Sequence, residues 1–333
     1  AYQMGLHRRA ESRLIASQPS NRRDSERSQC ADSRATRPNR PHCRRRCVVA
    51  VMRDWRTIKA SVRGAAHYRA GLPNQDAVRV ARFNDDLPLF VALADGHGSA
   101  KCFRSQRGAR LAVIVAQQVC GQLFKLDSPS QIKRWAEEEL PKGLVRGWRE
   151  RVDRLLARCP FTPEELAPLD AASRRLLDAH PHLAYGSTLL AVVVAPGFIL
   201  YLQLGDGDLL TVSAEGEVER PIPKDARLIG NETTSLCSAQ AWNELQVRFQ
   251  TLAGAPPALI LAATDGYANA FRNEAGFQQV AQDLWALLRD DGDAAVKPHL
   301  KDWLNEASQQ GSGDDITVGL IWRAVQSPET PKP

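Results

Sequence analysis

The chain has 333 residues, 43% hydrophobic and 25% charged, which is ordinary for a globular protein and enough to bury one large core or two modest ones. No apolar run approaches the roughly 18 residues that span a bilayer, so no membrane segment or membrane partner is expected. The net charge of +6 is unevenly placed: residues 1–51 hold twelve Arg, no Lys and four acids, a local +8 that leaves −2 for the remainder.

Residues 1–51 are rich in Arg, Ser and Pro without a helix or strand period, and read as a disordered basic tail. Three readings of the tail stay open: an arm for acidic partners, an Arg- and Ser-rich targeting segment, or upstream-translated sequence before a start at Met52. We favour the last. Nucleic acid is not an expected partner, because Tyr2 is the only aromatic residue before Trp55. The seven cysteines are odd in number, irregularly spaced and not preceded by a secretory signal, which points to a reduced cytoplasmic protein. His42, Cys43 and Cys47 offer zinc ligands, but no second Cys-rich half follows to complete a tetrahedron.

The globular pattern runs over 54–325, with a disordered tail expected at 326–333. Val78 and Val80 alternate with Arg79 and Arg82 in a strand-like segment, and Pro88–Ala94 is an apolar strand ending at Asp95-Gly96. Ala112, Val115, Ala116, Val119 and Leu123 then share one face of an amphipathic helix. Residues 127–182 read as mainly helical, with Trp135 and Trp148 as packing anchors and Thr162-Pro163-Glu164-Glu165 as a helix start. Ser187–Ala195 and Phe198–Leu204 form a hairpin across Pro196-Gly197. Strands at Leu209–Val212 and Ala258–Ala263, a helix around Gly276–Leu288 and a last strand at Ile316–Trp322 complete the pattern. The order argues for an α+β fold with antiparallel sheets. There is no regular βαβ alternation and no Gly-rich phosphate loop, which excludes the common nucleotide-binding folds.

The acids carry the functional signal. Asp95 and Asp265 each end an apolar strand and precede Gly, Asp206 lies in Gly205-Asp206-Gly207-Asp208, and Asp314-Asp315 immediately precede the last strand. Asp-Gly is a common turn pair, so any one of these reads as a turn residue. Taken together, without Lys or Arg at the strand ends to pair them, they suggest a cluster neutralised by hard divalent cations.

Six motifs stand in order: Asn74-Gln75-Asp76, Asp95-Gly96-His97-Gly98, Gly186-Ser187-Thr188, Gly205-Asp206-Gly207, Thr264-Asp265-Gly266 and Gly313-Asp314-Asp315-Ile316-Thr317. From about Ser61 to Arg323 the chain resembles the PP2C-type metal-dependent serine/threonine phosphatases. Its His67…Gly71 pattern is similar to a bacterial subgroup that in some genomes accompanies a kinase. The resemblance implies an α/β/β/α sandwich of two mainly antiparallel sheets flanked by helices. It also implies two Mn2+ or Mg2+ ions and a third, weaker one.

Under that resemblance Asp95 bridges two metals, the Gly96 carbonyl is a ligand, and Asp265, Asp314 and Asp76 are further ligands. Asp206 matches the acid of the third ion, and Gln75 stands where the family usually has a Glu. Asp315 replaces a frequent Asn, a change expected to be tolerated at the edge of the site. Phosphomonoester hydrolysis would then use a water shared by two cations about 3.5–4 Å apart, without a covalent intermediate. His97 would protonate the leaving alkoxide. Cys102 and Cys120 fit structural roles.

One departure stands out: the family's phosphate-clamping Arg, five residues before the first acid, is here Gly71. His67, Arg69 and Arg63 are the candidates to replace it. The expected partner is a phosphoprotein substrate, such as a cognate Ser/Thr kinase or its targets. The alternative is a catalytically weak PP2C-like module that binds phosphoproteins or regulates a kinase. A sporulation-type regulatory phosphatase shares the fold, but no sensor domain is visible.

Overall fold

Apolar runs such as Leu89-Phe90-Val91-Ala92-Leu93-Ala94 are buried at every position, which requires a strand covered on both faces. The computed structural model describes residues 55–83, 88–224, 233–252 and 254–324. The basic tail, the His42, Cys43 and Cys47 set and the tail 326–333 lie outside them. One sheet orders β1 (Trp55–Val62), β10 (Ile316–Arg323), β9 (Leu259–Ala263), β6 (Asp208–Val212) and β7 (Val218–Glu219). The other orders β2 (Ala77–Arg82), β3 (Leu89–Ala94), β4 (Leu189–Ala195), β5 (Phe198–Leu204) and β8 (Gln246–Thr251). Every pairing between these strands is antiparallel.

The period-2 alternation of strands sorts side chains between layers. Leu89, Val91 and Leu93 of β3 meet Leu190, Val192 and Val194 of β4 and Leu209, Ile260 and Ile321 of the other sheet in a central core. Phe90, Ala92 and Ala94 face the opposite way, toward helices.

The helices are α1 (Ala65–Arg69), α2 (Ser105–Cys120), α3 (Pro129–Glu138), α4 (Leu140–Arg158), α5 (Pro163–Leu166) and α6 (Ala171–Ala179). In the second half follow α7 (Ala241–Glu244), α8 (Asp265–Ala268), α9 (Glu274–Asp291), α10 (Asp293–Val296) and α11 (Leu300–Ala307). Helices α2 and α4 cover the β2–β8 sheet, where the fully buried Trp148 donates its indole N–H to Gly108 O at 3.0 Å. Helices α9 and α11 cover the other sheet through Phe277, Leu284, Trp285 and Leu304. The result is the expected α/β/β/α sandwich. Among the described residues no helix is long and apolar enough to cross a membrane.

The elements β1, β8 and α11, and the short elements α1, β7, α7, α8 and α10, were not anticipated from the sequence. The amphipathic helix also stops early: α2 ends at Cys120, and the buried Leu123 belongs to the 3-10 turn Gly121–Lys125. The start at Thr162 is a full capping box, with Glu165 N–H bonded to Thr162 Oγ1 and Thr162 N–H to Glu165 Oε2.

Strand register brings the functional loops together. Ala77 opens β2 opposite Ala94 at the end of β3, and Leu189 opens β4 opposite Leu204 at the end of β5. In the other sheet Ala263, at the end of β9, faces both Asp208 and Val318. The acids at 76, 95, 206, 265 and 314 therefore all gather at one end of the sandwich.

Candidate active site

Asp95 follows a strand with no exposed residue, and its backbone is fixed on both sides. Its N–H donates to Thr188 Oγ1 at 3.0 Å, and its carbonyl accepts from Thr188 N–H at 2.9 Å. Gly96 is confined between the loop before β2 and the first turn of α2: a Cβ there would lie 2.8 Å from both Gln75 O and Ser105 C. No side chain fits, which explains the glycine of the Asp-Gly-His-Gly motif.

Asp76 reaches across the two sheets. Thr264 Oγ1 donates to Asp76 Oδ2 at 2.9 Å, and Thr317 N–H donates to Thr264 Oγ1 at 2.9 Å. Asp76 and Asp265 both act on Asp95, and carboxylates this close are held together by a shared proton or a shared cation. Burial is the main cause that pushes Asp76 up to about 7 and Asp265 up to about 6. It also drives Asp95 well above the usual carboxylate range, with repulsion from Asp76, Asp265 and Asp314 adding to it. Asp314 is raised by burial in the same way, and the fields of the exposed Asp206 act on Asp265, Asp314 and His97.

All five predicted acids thus belong to one electrostatic cluster. Among the described residues, the one basic side chain within salt-bridge range of any of them is His67, whose Nε2 lies 3.6 Å from Asp314 Oδ1. Asp76 Oδ1, Asp265 Oδ1 and Gln75 Oε1 are buried without a hydrogen-bond partner. Orphaned oxygens of this kind, in an all-oxygen donor set with unbalanced negative charge, fit hard divalent cations. Among the described residues no three His, Cys, Asp or Glu side chains already converge as a finished cage.

His97 stands beside the cluster, its ring against Gly186, where a Cβ would lie 2.6 Å from His97 Cδ2. Burial lowers its pKa from the ordinary value, Asp206 raises it and Lys101 lowers it. Cys102 is buried and Cys237 half-buried beside the same glycine, both thiols raised by burial, and Cys120 is fully buried in the core under α2.

The candidates for the missing clamp fall elsewhere. Arg63 donates to His67 O at 3.0 Å and stacks over the Tyr68 ring at 4.7 Å. Arg69 is exposed at the end of α1. His67 is held by the acids, with Nδ1 2.9 Å from Asp315 Oδ2. Gly71 has φ +71°, and a Cβ placed on it would meet no atom within 4 Å.

Asp315 requires a correction. It is not at the edge of the site but 3% exposed, and it accepts from Gly64 N–H and Gln75 N–H at 2.6 Å each. With His67 as a third contact, it fixes the whole segment 64–75 against the start of β10. Ser308 adds a second tie, accepting from Ala65 N–H at 3.0 Å and donating to Asp314 O at 2.9 Å. Thr188, Thr264 and Thr317 stood in the sequence motifs as letters without roles; each orients an acid or its neighbour. The larger cavity, about 720 Å3, lies at the opposite end of the sandwich near Ser213, Arg248 and Arg323, away from this chemistry.

Asp315→Ala would orphan two buried N–H groups, so urea denaturation of the metal-free protein should show a loss of about 2–5 kcal/mol. Wild-type stability in that variant would mean that Asp315 does not hold the segment.

Three comparisons place the chain among known proteins. A sequence model of the protein phosphatase 2C family matches residues 63–305. Serine/threonine-protein phosphatase 3 of Escherichia coli (strain K12) is 28% identical over 201 residues, covering 58% of this chain and 67% of that protein. A bacterial serine phosphatase structure matches with a TM-score of 0.51 at 13% identity, covering 81% of this chain and 98% of that one. A serine/threonine phosphatase structure from Staphylococcus aureus matches at 0.50 and 13% identity, over 81% and 95% of the two chains. The structures speak for the fold and the family match for descent: the chain belongs to the protein phosphatase 2C family and is a protein serine/threonine phosphatase.

Proposed function

We propose that the chain hydrolyses phosphoserine and phosphothreonine in proteins at the acid cluster, with two Mn2+ or Mg2+ ions held by Asp76, Asp95, the Gly96 carbonyl, Asp265 and Asp314, and a third by Asp206. The observation that carries this reading is the set of buried carboxylates from distant parts of the chain, with orphaned oxygens and almost no protein cation to balance them. Bound cations would neutralise that charge, polarise the phosphoryl oxygens and lower the pKa of an attacking water, so that no covalent phospho-enzyme is required.

The chain's own residues do the rest. Thr188 fixes the Asp95 backbone, and Thr264 orients the Asp76 carboxylate. His97 supplies the proton to the serine or threonine oxygen as it leaves. Burial works against the protonated imidazole, and the field of Asp206 offsets part of that effect. The catalytic unit is the segment 54–325, and its substrates are phosphoproteins such as a cognate Ser/Thr kinase or that kinase's targets.

A second reading rests on Gly71. An Arg is the strongest bidentate phosphate ligand, and a glycine with open space around it supplies none. A PP2C-like module that binds phosphoproteins while turning over slowly would follow.

p-Nitrophenyl phosphate hydrolysis by metal-stripped protein, titrated with Mn2+ and Mg2+, separates the two. Saturable metal-dependent turnover that Asp95→Asn lacks supports the phosphatase; metal binding without turnover supports the binding module. His97→Ala should spare this activated aryl ester and cost phosphopeptides on the order of 100-fold in kcat, since only the alkoxide needs a proton donor. Equal losses on both would remove the donor role. Gly71→Arg has room but costs about 1–2 kcal/mol of stability for its left-handed backbone. It should lower KM severalfold if the phosphoryl group lacks a cationic ligand, and an unchanged KM would mean one is already in place.

A further inference from the structure

Beside the acid cluster, a cavity of about 320 Å3 opens between the loop Leu72–Gln75, the segment Gly98–Phe103 and the first turn of α2. It begins one residue after His97 and one residue after Gly71. Its volume exceeds that of a phosphoryl group and is of the size of one or two amino-acid side chains.

The charges on its walls are unequal. Arg104, Arg107 and Glu165 all line it. Arg104 is consumed: its guanidinium donates to Glu165 Oε1 and Oε2 at 2.8 and 2.6 Å, to Cys159 O, to Pro160 O and to Tyr185 Oη. Both Glu165 oxygens are thereby occupied, and Oε2 also accepts from Thr162 N–H. Arg107 is left over. It is exposed, and among the described residues its guanidinium makes no hydrogen bond or salt bridge; only its field reaches Glu165. It sits in the first turn of a 16-residue helix whose N-cap, Arg104, provides no side-chain cap, so the positive end of the helix dipole adds to its charge.

Gln75 forms another part of the wall. It is 7% exposed, its backbone N–H locked on Asp315, yet its side-chain Oε1 has no partner. A Cβ on Gly98 would lie 3.7 Å from that oxygen.

We propose that this cavity is a substrate subsite for an acidic residue flanking the phosphorylated one, with Arg107 binding its anionic side chain. The anion is a carboxylate or a second phosphoryl group, both of which match a guanidinium. Arg107 is a specificity residue and takes no role in the bond-breaking step. The assignment rests on the phosphatase reading above and gives it a substrate class: acidic or multiply phosphorylated segments.

The test compares metal-loaded wild type, Arg107→Glu and Arg107→Ala on phosphoserine peptides carrying Asp, phosphoserine, Ala or Lys at each position within two residues of the scissile group. At one such position the wild type should favour the anionic peptides over Lys by about tenfold in kcat/KM, mostly through KM. Arg107→Ala should flatten that preference and Arg107→Glu reverse it. Asp against phosphoserine in the wild type then tells which anion the subsite takes. No preference in the wild type, a preference that both variants keep, or a uniform loss on all peptides and p-nitrophenyl phosphate alike would overturn the subsite. Should the wild type turn over nothing, including p-nitrophenyl phosphate, the phosphatase reading fails separately. The same peptides titrated by calorimetry then decide the subsite by affinity.

Discussion

Five carboxylates that repel one another are held at the end of a sandwich whose central strands are buried on both faces. Everything else at the site follows from that. Burial first, and then repulsion from neighbouring carboxylates, push Asp76 up to about 7, Asp265 up to about 6, and Asp95 well above the usual range. The folded state therefore binds protons that the unfolded chain, with ordinary carboxylates, has released by neutral pH. Stability falls as pH rises from the unfolded carboxylate range through about 7, the reverse of a salt-bridged Asp. A cation that replaces those protons removes the penalty, so folding and catalysis draw on one electrostatic source.

The surrounding architecture is arranged to keep the acids in place against their repulsion. Thr188 clamps the Asp95 backbone, Thr264 and Thr317 tie Asp76 to the other sheet, and Asp315 anchors segment 64–75 over the start of β10. Arg104 serves the same purpose farther from the acids. With Glu165, Tyr185 and two carbonyls it joins α2 to α5 and the turn before β4, and so supports the wall on which Arg107 stands.

Much of this was legible in the chain because its signals are local. An apolar run ending in Asp-Gly marks Asp95 and Asp265, and the Thr162 capping box is readable within four residues. The strands β1 and β8 were missed because half or more of their positions carry polar or charged side chains, as in Arg56-Thr57-Ile58-Lys59 and Gln246-Val247-Arg248. Asp315 was misplaced for a different reason. Its partners Gly64 and Gln75 are 251 and 240 residues away in sequence, and only the β1–β10 pairing brings them together. Arg107 carried no motif: its importance depends on Arg104 and Glu165 neutralising each other, which only the folded chain reveals.

The most direct test is the melting temperature of metal-stripped protein between pH 5.5 and 8, with and without saturating Mn2+. The account predicts that the metal-free protein melts higher at the acid end, that Mn2+ raises melting most near pH 8, and that Asp95→Asn weakens both effects. A melting temperature that is indifferent to Mn2+ at every pH would contradict the claim that these acids are held together for cations.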